Sequence, residues 1–323
     1  MKNWLNRLVK GSEGSATSAA ASVEAAATHA ENNGAEIDAA YYRWLTASAG
    51  YDAPDDVERR ILDQLAALAA DPAAAAGLVP RVPEVIPQLL ASLGDEGASN
   101  ADLARQASQD VVLVAEVIRE ANSAYYRPLT PVKTVEAAIM MLGQNGLRML
   151  LARLAFRPII KMESSGFARR VAPQVWNQSE KCALAASLMA PGLTAGTFEA
   201  YLAGLMQNVG LVVAFRLADG ICPDGRIPGS RTFGAALLEH SRALSAQVAA
   251  HWEFPQEVCN AIAHAGEPGD LALAKALALG DRIAKLRVLV DGAVIAEDDT
   301  LVSDGLDSFQ RRCLHKLAAS TEE

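Results

Sequence analysis

Two neutral amides inside an apolar helical segment place the strongest constraint on how this chain can fold. Gln207 and Asn208 interrupt a run that begins at Tyr201 and continues through Val213. A buried amide needs hydrogen-bonding partners, because polar groups left unpaired away from water cost free energy. The segment therefore predicts an interior helix whose amides meet polar side chains from other helices, and such a cluster typically marks a site.

The composition predicts that the rest of the chain is helical as well. Hydrophobic residues make up 51% of the 323 residues, whereas aromatic residues make up only 5%. Ala and Leu outnumber the β-branched residues, and this balance favours helices over sheets. We expect an all-α fold, a multi-helix bundle, with one small β-hairpin near the C-terminus formed by residues 288–290 and 292–295.

Charge and cysteine usage exclude several classes of function. The formal net charge of −9 disfavours general nucleic-acid binding, which requires a cationic surface. The four cysteines are scattered and lack Cys-x-x-Cys spacing, so the sequence predicts neither a zinc site nor a disulfide framework. We find no uninterrupted apolar run typical of a membrane-spanning helix or a signal peptide. We expect a cytoplasmic protein without a transmembrane segment.

Changes in composition along the chain predict four regions. Residues 1–37 form an Ala/Ser-rich leader with almost no large apolar side chain, and we expect it to be flexible. Residues 38–75 form a helical extension in which Val57–Leu68 carries an apolar face, packed on the main domain or on a second copy. Residues 76–288 form the main helical domain. Residues 289–323 form a C-terminal extension that ends in a helix.

Short motifs spread through the main domain resemble one known family. The motif residues are Pro80, Pro83, Asp110, Asn122, Ser123, Trp252 and Pro255. With the segments Thr134–Ala138 and Tyr201–Leu205, they resemble the HD-related output domain, HDOD, a catalytically degenerate relative of the HD and HD-GYP phosphohydrolases. The resemblance covers about Val79 to Leu286. It implies an all-helical regulatory module of bacterial signalling proteins that does not hydrolyse phosphoesters.

The same resemblance identifies what remains of the HD metal site. It implies that Gln178 replaces the first histidine of the HD pattern and that Gln207 and Asn208 replace its His-Asp pair. Amides lack the imidazole nitrogen and the anionic carboxylate that bind a divalent metal. We therefore predict no catalytic residue, no metal and no cofactor.

Three other polar residues survive at positions that resemble site residues of the superfamily. Asp281 matches the last aspartate of the HD pattern, and His240 and His264 resemble the extra histidines of the HD-GYP branch. Because each of the six positions falls on an apolar stripe of its own helix or beside one, we expect them to converge. His240, His264 and Asp281 are weak candidates for metal ligands.

The sequence leaves three interpretations of this cluster open. The six side chains hydrogen-bond one another in the interior, or the two histidines and Asp281 form a divergent phosphohydrolase centre, or the amides line a pocket for a nucleotide. We predict the first, in a non-catalytic regulatory protein that acts through contacts with signalling proteins such as receiver, kinase or cyclic-dinucleotide proteins. The candidate contact surfaces are Val57–Leu68 and the basic stretch from Arg148 to Arg170.

Overall fold

The computed structural model describes residues 33–47, 49–78, 111–123, 126, 128–160, 166–222 and 225–318, and these residues form an all-α fold. Two short strands are the exception: β1 (Gly50–Tyr51) pairs in parallel with β2 (Ile227–Pro228). The predicted all-α class is therefore confirmed. The predicted motif residues Pro80, Pro83 and Asp110 lie outside the described residues.

The helices follow one another with short connections wherever the intervening chain is described. They are α1 (residues 33–46), α2 (Asp55–Ala70), α3 (Pro72–Gly77), α4 (Val111–Ala121), α5 (Val135–Ile160), α6 (Gly166–Met189), α7 (Thr197–Met206), α8 (Val209–Ile221), α9 (Arg231–His251), α10 (Gln256–Ala263), α11 (Ala272–Asp291), α12 (Thr300–Ser303) and α13 (Ser308–Ala318). A 3-10 turn, Ala190–Leu193, continues α6.

Helices α6 and α11 form the centre of the main hydrophobic core. Val175 and Ala186 of α6 and Leu277 and Ala284 of α11 are all fully buried. Helix α7 packs against both helices of this pair and α8 packs against α6, so that α6 is buried along most of its length. Helix α9 packs in turn on α8. A helix surrounded in this way is apolar on more than one face, which is why any polar residue on it needs a partner from a neighbouring helix.

Helix α1 belongs to this core although the sequence predicts a flexible leader through residue 37. Ile37, Tyr41 and Tyr42 are 2% exposed or less. The Tyr42 hydroxyl also donates a hydrogen bond to the carbonyl of Pro228, at 2.6 Å. Burial of each such side chain stabilises the fold by about 2 kcal/mol, so three large apolar residues outweigh the small polar residues at the start of the helix. The predicted boundary misses this because it was set by local composition.

Helix α2 uses its apolar face within the chain. Ile61 and Leu65 are fully buried, and α2 packs against α8 and α9. Of the two arrangements predicted for Val57–Leu68, the described structure shows packing on the main domain. The buried stripe is consequently not a free surface for a partner.

The predicted C-terminal β-hairpin is wrong. Residues 288–290 continue α11, where Val288 and Leu289 are 1% and 0% exposed. Residues 292–295 form turns, with Ala293 at a φ of 52°. Burial against the core decides the conformation here, because the weak strand preference of valine is smaller than the gain from packing both residues as part of a helix.

A smaller hydrophobic cluster joins α4 to the first half of α5. Val117, Ala138 and Ile139 are fully buried in it. Helix α5 is interrupted at Gly143, whose φ of 66° lies in the left-handed region that favours glycine. The helix resumes at once and carries the chain into the main core.

The segment Thr197–Ile221 is long and apolar enough to cross a membrane by length and composition alone. This differs from the sequence prediction, which treated the amides as a break in the run. In the structure, 89% of its most apolar stretch is buried inside the protein. Core helices of water-soluble proteins pass the same test, so the segment is weak support for a membrane span.

Candidate functional site

The two amides that interrupt the apolar segment lie in the turn between α7 and α8. Gln207 ends α7 and Asn208 precedes α8, and they are 5% and 8% exposed. Helix α7 approaches α6 closely because residue 204 is a glycine: a Cβ there would lie 2.5 Å from the Cα of Ala183. This close approach brings both amides against the polar residues of α6.

Asp281 of α11 is the centre of the polar cluster. Its Oδ1 accepts hydrogen bonds from Nε2 of Gln178, at 2.7 Å, and from Nε2 of Gln207, at 2.9 Å. Its Oδ2 lies 2.6 Å from Nζ of Lys285, one helical turn further along α11. Both carboxylate oxygens are therefore engaged by side chains of the same chain.

Asn208 extends this network along α6. Its Nδ2 donates to Oε1 of Gln178 and to Oγ of Ser179, the latter at 3.0 Å. Gln178 thus accepts from one amide and donates to the carboxylate of Asp281. The three amide side chains form a chain of hydrogen bonds that satisfies groups which would otherwise be unpaired in the core.

Ser245 of α9 supports the turn that carries the two amides. Its Oγ accepts from the backbone N–H of Gly210, at 2.8 Å, and donates to the carbonyl of Gln207, at 2.6 Å. Cys182 completes the surroundings of Gln207, with its Sγ 2.9 Å from Nε2. These contacts hold the Gln207 side chain in the orientation that reaches Asp281.

Lys285, Asp38 and Tyr41 also belong to the cluster, although no sequence motif predicted them. Nζ of Lys285 lies 2.6 Å from Oδ1 of Asp38 on α1, and 5.5 Å from the centre of the Tyr41 ring. The spacing of Asp281 and Lys285, four residues apart on one helix, is a sequence signal for this ion pair. No comparable signal connects Asp38 to a residue almost 250 positions later.

The charges in the cluster shift one another's pKa values. Burial alone would raise the pKa of Asp281, but the positive charges of Lys285 and Arg242, with hydrogen bonds from Lys285 and Gln178, bring it below its ordinary value. Burial would lower the pKa of Lys285, but Asp281 and Asp38 raise it above its ordinary value. Both groups are therefore charged at neutral pH.

The two histidines do not join this hydrogen-bonded network. The side chain of His264 is 51% exposed, and its Nδ1 lies 2.8 Å from Oε2 of Glu267. His240 is half-buried on α9 and makes no hydrogen bond or ion pair with any described residue. Within the described part of the chain, no group of three or more His, Cys, Asp or Glu side chains could hold a metal ion.

The described family-motif residues differ in their contacts. Asn122 donates from Nδ2 to the carbonyls of Ile118 and Val132 and accepts from the N–H of Val132, each at 2.8 Å. Ser123 follows it at the end of α4, and its Oγ has no hydrogen-bonding partner among the described residues. Trp252 and Pro255 lie between α9 and α10.

The basic stretch from Arg148 to Arg170 is partly neutralised by acids from other segments. Arg153 pairs with Oε2 of Glu120, at 2.5 Å, and lies 3.8 Å from Oε1 of Glu180. The Arg170 guanidinium donates to the carbonyl of Gly225, at 2.5 Å. The stretch is therefore less available for a partner than its sequence suggests.

The chain matches one family model in sequence and is similar in fold to several solved structures. The HDOD domain family model matches residues 79–268. A protein from Shewanella amazonensis SB2B, provisionally named a metal-dependent phosphohydrolase, is 19% identical, with a TM-score of 0.59 over 83% of this chain and 100% of that one. A provisionally named signal transduction protein from Marinobacter aquaeolei VT8 is 20% identical, with a TM-score of 0.52 over 86% of this chain and 69% of that one.

The chain is also similar in sequence to one curated protein. An uncharacterized protein of Treponema pallidum (strain Nichols) is 25% identical over 194 residues, which is 57% of this chain. The match spans only 37% of that relative's length.

The region that the HDOD family model matches contains Gln178, Gln207 and Asn208, whereas Asp281 and Lys285 lie after its last residue.

Proposed function

Because the chain belongs to the HDOD domain family, we propose that it is a non-catalytic regulatory protein of bacterial signal transduction. We propose further that it is cytoplasmic and acts through contacts with other signalling proteins. The name of the Marinobacter relative supports a signalling role. The polar cluster contributes to this function as an internal structural element.

The proposal rests on the hydrogen bonds and the ion pair that occupy both carboxylate oxygens of Asp281. A metal-dependent phosphohydrolase needs a carboxylate with lone pairs free for a metal and an open position for water or substrate. Here Oδ1 of Asp281 accepts from two glutamines, and Oδ2 is paired with Lys285. Binding of a metal at this carboxylate would have to displace a buried ammonium and break two hydrogen bonds.

The partner surface is proposed to lie among exposed charges outside the cluster. Arg157 and Arg169 are exposed members of the basic stretch, and an acidic partner surface would complement them. Replacing both with glutamine should weaken capture of an acidic signalling protein without changing thermal stability.

Metal content and turnover test the non-catalytic role directly. The purified, untagged protein should contain less than stoichiometric zinc, iron and manganese by elemental analysis. It should also not hydrolyse cyclic dinucleotides or nucleoside triphosphates when manganese is added. Near-stoichiometric metal that disappears in Asp281→Ala, together with manganese-dependent hydrolysis, would contradict the proposal.

The second candidate, which the sequence predicts from His240, His264 and Asp281, is a divergent phosphohydrolase or a nucleotide-sensing module. Of these three residues, only Asp281 belongs to the hydrogen-bonded network. The provisional name of the Shewanella relative and the retained carboxylate favour it. Its sensing form predicts saturable nucleotide binding without turnover, weakened by Asn208→Leu. Equilibrium dialysis with labelled nucleotides measures this, and binding that Asn208→Leu leaves unchanged would count against this form.

A further inference from the structure

The space between the carboxylates of Asp38 and Asp281 is suited to a cation. The two carboxylates come from α1 and α11, and each has one oxygen 2.6 Å from Nζ of Lys285. The face of the Tyr41 ring lies against the same ammonium, 5.5 Å from the ring centre. Two carboxylates and an aromatic face are together a favourable environment for a positive charge.

The ammonium in this position is shielded from water. The side chain of Lys285 is 4% exposed and that of Asp281 12%, while Asp38 is 33% exposed at the edge. A cation this deep would be costly without partners, and the same holds for the carboxylate of Asp281. Each charge therefore requires the other, and the segment that carries Asp38 is part of the arrangement.

Helix α1 covers the cluster at this point. Ile37 and Tyr41 are buried on either side of Asp38 in the sequence of α1. In the cluster, Gln178 is fully buried, and neither Gln207 nor Asn208 is more than 8% exposed. Helix α1 lies before the first residue of the matched HDOD region, so the cover is supplied by a segment that the family match does not include.

We propose that Lys285 is the resident cation of this site and that its bridge between Asp281 and Asp38 locks α1 across the polar cluster. The chain thereby fills with its own ammonium a position that would otherwise attract an external cation. While the bridge is intact, α1 and Lys285 keep metal ions and small ligands out. This inference deepens the proposed non-catalytic function and rests on it for its biological meaning.

Substitution of Asp38 tests the lock with little risk to folding, because the buried pair of Lys285 and Asp281 remains. In Asp38→Asn, amide hydrogen exchange across residues 33–46 should be on the order of tenfold faster, while α11 stays protected. Glu36→Gln is the matched control, since Glu36 is an exposed carboxylate on the same helix. Equal protection of α1 in the two variants would overturn the lock.

Substitution of Lys285 tests the resident cation. Lys285→Met should lower the melting temperature by on the order of 10 °C, because two carboxylates then face each other without a cation. Lys275→Met is the matched control on the same helix, since Lys275 pairs with Asp270 at the exposed surface, and it should shift the melting temperature by less than about 2 °C.

If Lys285→Met and Lys275→Met had the same melting temperature, the assignment of Lys285 as the resident cation would be wrong. These experiments measure thermal stability and amide hydrogen exchange, and they do not measure turnover. The lock can therefore fail while the non-catalytic role stands. Conversely, hydrolysis by the wild-type protein would contradict the non-catalytic function even if the hydrogen-exchange results supported the lock.

Discussion

Gln207 donates a hydrogen bond from Nε2 to Oδ1 of Asp281, at 2.9 Å. The resemblance to the HD pattern implies that Gln207 stands where that pattern has a histidine and that Asp281 matches its last aspartate. The two residues meet although they lie 74 positions apart in sequence. Their contact is a hydrogen bond between a neutral donor and an anion, which is stronger than one between two neutral groups.

We expect Asp281→Asn to destabilise the protein strongly. The substitution leaves the buried ammonium of Lys285 without its more deeply buried carboxylate partner, and loss of one member of a buried ion pair costs about 3–5 kcal/mol. Urea unfolding at neutral pH measures the difference. Asp270→Asn is the control: it removes the exposed partner of Lys275 and should change the unfolding free energy by less than about 1 kcal/mol. Similar effects of the two substitutions would contradict the central role of Asp281.

The stabilisation from Asp281 should depend on pH in a defined direction. Because its pKa is lowered in the folded protein, its contribution is present above the unfolded-state pKa of about 3.9 and is lost as pH falls through the folded-state pKa. The unfolding free energies of wild type and Asp281→Asn should therefore converge below about pH 4. Urea titrations at pH 7 and pH 3 test this, and a difference that is constant over this range would exclude the ionised carboxylate as its source.

At alkaline pH, the stability of the protein should depend on the charge of Lys285. Its pKa is raised in the folded protein, so its contribution is present below the unfolded-state pKa of about 10.4 and is lost as pH rises through the folded-state value. The advantage of wild type over Lys285→Met should persist at pH 9. Thermal unfolding at pH 7 and pH 9 checks this, and an advantage already lost at pH 9 would show that the pair is weaker than its geometry indicates.

Gly204→Ala should be destabilising by at least about 2 kcal/mol, because the added Cβ would lie 2.5 Å from the Cα of Ala183 and force α7 away from α6. Gly220→Ala is the matched control in α8, where an added Cβ meets nothing within 4 Å. There alanine should stabilise the helix by about 0.5–1 kcal/mol. Chemical denaturation of both variants measures the contrast, and opposite signs are the expected result.

Asn122→Ala should destabilise the smaller hydrophobic cluster by about 1–2 kcal/mol, because three hydrogen bonds connect this side chain to Ile118 and Val132. Asn260→Ala removes an exposed contact with Gln256 and serves as the control. Hydrogen exchange in α4 and the first half of α5 localises the effect. A change confined to the main core would show that Asn122 has another role.

Sequence patterns predicted that six polar positions converge. Four of them meet in one hydrogen-bonded network, whereas His240 and His264 do not join it. Gln178, Gln207, Asn208 and Asp281 interrupt strongly apolar helical runs, and such positions are constrained to find partners inside. His264 lies at the end of a short helix, where a polar residue is equally well placed in solvent and in fact pairs with Glu267. Periodicity alone does not distinguish these two environments.

The helical class, the buried amides and the absence of the His-Asp pair follow from the amino-acid sequence, because helix propensity, apolar periodicity and ligand chemistry are properties of short segments. The bridge from Asp281 through Lys285 to Asp38, and the position of α1 beside the cluster, emerge only when the helices pack. The same holds for the inclusion of Val288 and Leu289 in α11. These outcomes depend on which distant surfaces meet and on the free energy of burying them together, and no local pattern specifies that pairing.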